Sequence, residues 1–198
     1  ALIGACLESI ASACSHHSYE VLLVDNGDGT TEQLVRDTYP QVRVVPSRGN
    51  IGFAAGNNLL ASHARADLFQ VLNPDMVLMP DAIDALLVGA QSHPEAGAWG
   101  GVTVFPDGRP DPGNAIAMPS LIEMASVATG RSRIGRQLMR GVTEDAVVDV
   151  LIGGFVMFSR NAWQDAAGLD ERFFLYCEEV DLFYRLSAKG YHFWRIAK

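Results

Sequence analysis

The sequence has few cysteines, no long apolar run and no sign of a secretory leader. Of its 198 residues only three are cysteines, Cys6, Cys14 and Cys177, and none belongs to a C-x-x-C pair. An odd number of separated cysteines argues against a disulfide framework and favours reduced thiols in the cytoplasm. No apolar stretch is long enough to span a bilayer, and the first residues do not resemble a signal peptide, so we expect no anchor within the chain.

An excess of positive charge is also missing. Fifteen Lys and Arg residues against 23 Asp and Glu residues give a net charge of −8. This balance excludes the basic surface with which proteins bind nucleic acid. The five histidines form no zinc signature, and the adjacent His16 and His17 lie in a polar stretch that is typical of solvated surface.

Apolar segments alternate with amphipathic ones, and 48% of the residues are hydrophobic, enough for one substantial core. This alternation predicts a single α/β domain over residues 1–198, with a mostly parallel sheet flanked by helices. The predicted helices are 1–14, 30–39, 53–65, 80–92, 160–168 and 177–190, of which the second begins with a capping box of Thr30 and Gln33. The predicted strands are 19–27, 42–45, 67–73, 98–105, 149–160 and 191–196. Residues 111–146 mix Gly, Pro, Met and basic residues, and we interpret them as a variable or mobile segment.

Polar residues follow three of the predicted strands, at the carboxyl ends where parallel sheets bind ligands. In Asp25-Asn26-Gly27, the carboxylate could accept hydrogen bonds from a ribose hydroxyl or a base N–H, or it could simply close a turn. In the loop 48–58, Arg48 could neutralise a phosphate and the next helix could offer free N–H groups, or the glycines could only cap that helix.

The third polar feature is Asn73-Pro74-Asp75. Asp75 is a hard oxygen ligand of the kind that Mg²⁺ or Mn²⁺ accepts while it keeps waters and binds substrate phosphates. The alternative interpretation is an ordinary turn after a buried strand.

Three acidic residues, Glu178, Glu179 and Asp181, lie in the first turn of the helix 177–190. They could complement the helix dipole, with Asp181 and Arg185 as an i,i+4 ion pair. Alternatively, one of them is a general base that takes a proton from a hydroxyl nucleophile, beside a wall formed by the aromatic run "ERFFLYC".

Taken together, these motifs resemble the family 2 glycosyltransferases with the GT-A fold, a Rossmann-like sheet flanked by helices. The similarity is greatest to the rhamnosyltransferase-like branch, which builds bacterial cell-surface polysaccharide. Five segments occur in the family's order and spacing, and 111–146 is the main gap between them. They are "EVLLVDNGDGTTEQL", "RGNIGFAAGNN", "LNPDMVL", "PDG" at 106–108, and "LIGGFVMFSRNAWQDAAGLDERFFLYCEEVDLFYRLSAKGY".

The resemblance implies a role for individual residues. Binding of the nucleotide-sugar falls to Asp25, Asn26, Arg48, Asn50, Gly52, Gly56, Asn73 and Asp75, with Asp75 as the metal ligand. Acceptor and donor sugar would meet at Gly153 and Gly154. The catalytic base would be Glu179, with Glu178 and Asp181 as its acidic neighbours.

The sequence departs from the family pattern at both acidic motifs and at both ends. The family's E-D pair is Glu178-Glu179 here, and its D-x-D motif is reduced to Asn73-Pro74-Asp75, which has one carboxylate. The family's first strand and C-terminal segment are not found. An unpaired sheet edge invites association, so we expect a homo-oligomer or low activity.

The function that the resemblance implies is inverting, metal-assisted sugar transfer with Mg²⁺ or Mn²⁺ as cofactor. The donor would be a dTDP-deoxysugar such as dTDP-rhamnose, or a UDP-sugar, and the acceptor a glycan or lipid-linked hydroxyl. We expect a cytoplasmic protein that works at the inner face of the membrane. Two alternatives stay open: a non-catalytic nucleotide-sugar-binding module and a sugar-phosphate nucleotidyltransferase.

Overall fold

A computed structural model describes residues 2–105, 107–111, 115–118, 144–151 and 154–197, so most of the segment 111–146 and Gly153 lie outside the described residues. The helices in these ranges are α1 (Leu2–Ala13), α2 (Thr30–Thr38), α3 (Gly52–His63), α4 (Ala82–Ser92), α5 (Arg160–Asp165) and α6 (Glu178–Ser187). The strands are β1 (Leu22–Leu23), β2 (Arg43–Val44), β3 (Leu68–Leu72), β4 (Ala98–Gly101), β5 (Ala115–Ile116), β6 (Ala146–Val148), β7 (Val150–Leu151), β8 (Phe155–Ser159) and β9 (Phe193–Ile196). None of these helices is long and apolar enough to cross a bilayer.

The α/β class is as predicted, but the direction of the strands needs a correction. The largest sheet has the order β3-β8-β4-β9-β6, and only its β4–β9 pair is parallel. Strands β3, β4 and β9 share one direction, while β8 and β6 run the opposite way. Apolar patterning shows that a strand is buried on both faces, but it does not encode the direction of that strand.

The predicted strand 149–160 divides into two. Its first part, β7, pairs with β5, whereas its second part, β8, lies between β3 and β4. β1 and β2 form a separate parallel pair in which Val45 donates to the carbonyl of Leu23. A continuous apolar run in the sequence can therefore contribute strands to two different sheets.

The large sheet is buried on both faces, because successive side chains of a strand point in opposite directions. In β8, Val156 and Phe158 pack on the layer that contains α3, α5 and α6. Phe155 and Met157 pack on the layer that contains α1 and α4. This two-sided burial explains why the central strands read as unbroken apolar runs.

Helix α1 aligns the extended segment that follows β3. The thiol of Cys6 donates to the carbonyl of Asn73 (3.6 Å), and the hydroxyl of Ser9 accepts from the N–H of Leu78 (3.0 Å). One turn further, the carbonyl of Ser12 accepts from the N–H of Asp81 (2.9 Å). Because these α1 residues are three apart, one helix face holds the whole segment.

The predicted capping box of α2 is wrong. The N-cap is Gly29, and no side chain at that position caps the helix. The carboxylate of Asp28 instead accepts from the N–H (3.0 Å) and the hydroxyl (2.6 Å) of Thr30. The N–H of Thr30, which the side chain of Gln33 would bind in a capping box, is therefore bound by Asp28, two residues earlier in the chain.

A buried carboxylate joins α1 to α4. The side chain of Asp84 accepts hydrogen bonds from Ser15 N (2.8 Å), His16 N (3.3 Å) and the ring Nδ1 of His17 (2.8 Å). Burial by itself raises the pKa of Asp84, but these hydrogen bonds outweigh it and leave the pKa below its usual value.

We expect Asp84→Asn to destabilise the fold by about 1–3 kcal/mol at neutral pH, because the amide cannot accept all of these bonds. The pKa is depressed in the folded state, so the stabilisation is present above the unfolded-state pKa of about 4 and is lost as the pH falls through the lower folded value. The difference in unfolding free energy between the two proteins in urea should therefore begin to shrink as the pH falls below about 4 and vanish only below the folded-state pKa. Asp37→Asn, which changes an exposed carboxylate, is the control, and a constant difference at all pH values would contradict the assignment.

Candidate active site

The polar residues after β1 hold the local backbone. One oxygen of the Asp25 carboxylate accepts from Gly27 N (2.7 Å), and the other accepts from Glu32 N in α2 (2.9 Å). Asp25 thus closes the turn, as the simpler interpretation predicted, and also caps α2. A carboxylate has about four acceptor positions, so these two bonds leave room for a donor from a ligand.

Asn26 connects this turn to the glycine-rich loop. Its Nδ2 donates to the carbonyl of Gly52 (3.0 Å), and its Oδ1 accepts from Ile51 N (3.4 Å). A Cβ at Gly56 would lie 3.1 Å from Asn26 Nδ2 and 3.4 Å from Val24 Cγ1. The glycine at position 56 therefore lets α3 approach the end of β1 closely.

The first N–H groups of α3 bind protein atoms. Gly52 N donates to Asn50 Oδ1 (3.0 Å), and Phe53 N donates to the carbonyl of Phe174 (3.1 Å). Gly52 has a φ of +85°, and a Cβ there would lie 2.9 Å from both the ring and the carbonyl oxygen of Phe174. The expectation that these N–H groups are free for a phosphate is therefore not met.

Arg48 differs from its neighbours in this loop. Its side chain is exposed and makes no hydrogen bond or ion pair with any residue that the structure describes. The hydroxyl of the preceding Ser47 donates to the carbonyl of Asp25 (3.1 Å) and so fixes the backbone beside it. Arg48 thus presents a cation to solvent from a loop that is held in place.

Asn73 and Gly154 meet at the end of the β3–β8 ladder. Asn73 N donates to the carbonyl of Gly154 (2.9 Å), and a Cβ at position 154 would lie 2.2 Å from the Cβ of Asn73. Two of the predicted site segments are therefore in direct contact. Gly153 lies outside the described residues.

Asp75 is exposed and makes no hydrogen bond or ion pair with the described part of the chain. The negative charge of Asp75 also acts on the buried thiol of Cys6. Burial is the main cause that raises the pKa of this thiol, and repulsion by Asp75 is the smaller one. An exposed carboxylate with unused oxygens fits a hydrated Mg²⁺ or Mn²⁺, which needs few protein ligands. Asn73, where the family has an acid, adds no negative charge.

A second group of metal-type ligands lies elsewhere. One ligand atom from each of His16, Asp81 and Asp84 falls within 4.8 Å of the others. The carboxylate of Asp84 already accepts hydrogen bonds from Ser15 N and from the ring of His17. These bonds, which join α1 to α4, explain why the three side chains lie close together. The cluster does not include Asp75.

The three acidic residues of α6 have different environments. Glu178 is 3% exposed, and its buried Oε2 accepts no hydrogen bond from the residues that the structure describes. Glu179 is half-buried. Asp181 forms the predicted ion pair with Arg185 (2.7 Å), which also donates to the carbonyl of Gly168 (2.9 Å). Asp181 therefore has a structural partner that accounts for its position.

Glu179 connects the acidic turn to the rest of the site. It lines a small apolar pocket together with Phe53 from α3 and Val71 from β3, and aromatic side chains of the core complete the wall. Phe53 adjoins Gly52 in the glycine-rich loop, and Val71 is two residues before Asn73 in the chain. Hydrogen bonds thus link the turn after β1 to the glycine-rich loop and α3 to Phe174, and the pocket places Glu179 near Phe53 and Val71.

Two residues that hold these segments together were given no individual role in the sequence, although Phe174 belongs to the predicted aromatic wall "ERFFLYC". Phe174 covers Gly52, and Asn58 binds the backbone of Leu169 through Nδ2 (2.8 Å) and Oδ1 (2.9 Å). The sequence signal for Asn58 is its place in the matched "RGNIGFAAGNN" segment, where it was given no role.

Comparison with known proteins identifies the family. Residues 1–165 match the sequence profile of glycosyl transferase family 2, and the chain belongs to that family. It is similar to the N-acetylglucosaminyl-diphospho-decaprenol L-rhamnosyltransferase of Mycobacterium tuberculosis, with 34% identity over 200 residues, 91% of this chain and 64% of the relative. The chain therefore spans under two thirds of the length of that relative. The rhamnosyltransferase WbbL of Escherichia coli K12 is 22% identical, over 93% of this chain and 71% of its own.

Solved structures confirm the GT-A fold. The mannosyltransferase PcManGT of Pyrobaculum calidifontis, solved with GDP-Man and Mn²⁺, superposes with a TM-score of 0.67. The match covers 97% of this chain and 50% of that protein, at 18% identity. The likeness at this identity concerns the fold.

We expect Gly154→Ala to disrupt the end of the β3–β8 ladder, because its Cβ would overlap backbone-proximal atoms of Asn73 that cannot move away alone. The free energy of unfolding should fall by about 1–3 kcal/mol, measured by urea denaturation. Gly4→Ala is the control, since its Cβ would meet only the hydroxyl end of Tyr39 at 3.1 Å. Equal stability of the two variants would show that Asn73 and Gly154 are not packed as described.

Proposed function

We propose that this chain transfers a sugar, with inversion, from a nucleotide-diphosphate donor to an acceptor hydroxyl in cell-surface polysaccharide synthesis. The observation that carries the proposal is the pocket of a family 2 chain in which the half-buried Glu179 lies near Phe53, which follows Gly52 of the glycine-rich loop, and near Val71 of β3. The names of the bacterial relatives favour a rhamnosyl donor, such as dTDP-rhamnose, over a UDP-sugar.

The donor would lie across the loop ends of β1 and β3. Asp25 keeps unused acceptor positions for the nucleoside, and the exposed guanidinium of Arg48 can pair with the diphosphate. Asn26, Asn50, Gly52 and Gly56 would shape this pocket, since their hydrogen bonds and close packing fix the loop's backbone. The rigidity of the loop limits the entropy that the chain loses when the donor binds.

Asp75 would hold a Mg²⁺ or Mn²⁺ ion through its exposed carboxylate, with waters and the diphosphate as the other ligands. The ion would act as a Lewis acid that stabilises the departing diphosphate. Because Asn73 is neutral, the protein supplies one carboxylate here, and we expect weaker metal binding than a D-x-D motif gives.

Glu179 is the better candidate for the base among the neighbouring acids. It is half-buried and can meet an acceptor hydroxyl, whereas Oε2 of Glu178 is enclosed and Asp181 is paired with Arg185. The acceptor proton passes to the Glu179 carboxylate while the acceptor oxygen bonds to the anomeric carbon. The bond from that carbon to the diphosphate breaks, and its electron pair leaves with the diphosphate, so a single displacement inverts the centre.

The acceptor side of the proposal rests on exposed apolar residues before the acidic turn. Phe174, Leu175 and Tyr176 are 59%, 53% and 75% exposed. Such a run suits the apolar part of a lipid-linked acceptor, as the name of the mycobacterial relative suggests. Attachment to the inner membrane face and self-association stay predictions.

The donor and the metal are tested together. A thermal-shift panel of nucleotide-sugars, with and without Mn²⁺ or Mg²⁺, should show the largest increase in Tm for dTDP-rhamnose, because a ligand that binds the folded state stabilises it. Release of dTDP in the presence of an N-acetylglucosaminyl-diphosphate-lipid acceptor should then confirm transfer.

Asp75→Asn should lower kcat/KM by about tenfold or more, since one metal ligand contributes several kcal/mol at most. Donor binding without transfer would support the binding-module alternative, and release of pyrophosphate from a nucleoside triphosphate would support the nucleotidyltransferase.

The base is tested by a pair of isosteric variants. Glu179→Gln should lower kcat by about a hundredfold or more with little change in the KM of the donor, because it removes only the proton acceptor. Glu95→Gln, at an exposed position outside the site, is the control. Near-normal kcat in Glu179→Gln together with an inactive Glu178→Gln would move the assignment to Glu178.

A further inference from the structure

The segment 168–177, which leads from α5 to the acidic turn, is attached to α3 at two points. Asn58 binds it at one end through both its amide atoms, Nδ2 to the carbonyl of Leu169 (2.8 Å) and Oδ1 from the N–H of Leu169 (2.9 Å). At the other end, Phe53 N donates to the carbonyl of Phe174 (3.1 Å). Helix α3 therefore carries the glycine-rich loop at its start and fixes the lead-in to the acidic turn along its length.

The fit at Asn58 is close. Nδ2 of Asn58 also donates to Oε1 of Glu171 (3.0 Å). Gly168 has a φ of +72°, and a Cβ there would lie 2.4 Å from Oδ1 of Asn58, so a side chain at position 168 is excluded. An amide with one donor side and one acceptor side matches the two backbone atoms of Leu169, which no carboxylate does at neutral pH.

The body of α6 is held independently. Leu182, Phe183 and Leu186 are fully buried in the core, and Arg185 joins α6 to the carbonyl of Gly168. What Asn58 controls is therefore the path of 169–177 and the first turn of α6, where Glu179 lies. The two consecutive left-handed residues that precede this turn, Tyr176 and Cys177, have φ values of 70° and 69° and need such support.

We propose that Asn58 is a positioning residue that sets the acidic turn of α6 against the glycine-rich loop. This inference rests on the proposed function, because it assigns the transfer step to residues on those two segments. Loss of the Asn58 bonds leaves the loop contacts of Asn26 and Asn50 intact. The effect should therefore fall on kcat and not on the KM for the donor, since small displacements of a reacting group greatly reduce the rate.

The test substitutes Asn58 in the full-length protein. Asn58→Asp keeps the shape but sets a carboxylate oxygen against the carbonyl of Leu169 and against Glu171, so kcat should fall by about tenfold to a hundredfold with a donor KM changed less than about twofold. Asn58→Ala, which removes both bonds without setting a carboxylate oxygen against the carbonyl of Leu169, should lower kcat less than Asn58→Asp does. The matched control is Asn161→Asp, the same change at an exposed position of α5. The assay is dTDP release from dTDP-rhamnose with the N-acetylglucosaminyl-diphosphate-lipid acceptor.

Amide hydrogen exchange gives a readout that does not depend on turnover. In Asn58→Asp the N–H of Leu169 and the segment up to Cys177 should exchange faster, while the N–H groups of α3 and of the second half of α6 stay protected. Unchanged kcat and unchanged exchange in that segment would overturn the proposal. A parallel fall in kcat and rise in donor KM, with faster exchange throughout α3, would also overturn it, because the role would then be general stability. A wild-type protein that shows no transfer would overturn the proposed function itself, and with it the catalytic part of this inference.

Discussion

Strand β8 lies between β3 and β4 and pairs antiparallel with both, and the rest of the molecule depends on this ladder. Its side chains contribute core residues to both helical layers, Val156 and Phe158 to one and Phe155 and Met157 to the other. Its first rung is the bond from Asn73 to Gly154, which brings two distant parts of the sequence to one edge of the sheet. The core and the candidate site therefore share one set of hydrogen bonds.

Helix α3 is the second organising element. Asn26 and Asn50 fix its first turn, so the loop that would meet a nucleotide is held by amide side chains and not by charged groups. This arrangement leaves Arg48 and Asp75 exposed and without partners among the described residues. A charged side chain without an internal partner can interact fully with a ligand of opposite charge. The charge of Asp181 is already neutralised by Arg185, so its attraction for a ligand is weaker.

Much of the fold was predictable, because its signals are local. The period of apolar residues located α1 to within a residue at its end and also found α2, α3, α4 and α6. Helix α5 ends sooner than its predicted range 160–168: its C-cap is Ala166, and the first left-handed residue after it is Ala167 (φ 57°), one position before Gly168. The run 149–160 was interpreted as one strand because burial on both faces looks alike in β7 and β8. The cap of α2 was misplaced because two upstream aspartates bind the first turn instead: Asp28 accepts from Thr30 N, and Asp25 accepts from Glu32 N.

The sequence by itself determined which chemical groups this protein has, in which order they occur, and the α/β class that holds them. Only the tertiary structure decided the direction of β8 and the difference between the enclosed Glu178 and the half-buried Glu179. It also decided that Asn26 and Asn58 hold distant backbone segments by hydrogen bonds. The physical reason is the range of the interactions. Helix periodicity and turn preference act over a few residues, whereas Asn58 meets Leu169 across a separation of 111 residues, and such a pairing exists only after the sheet has brought its strands together.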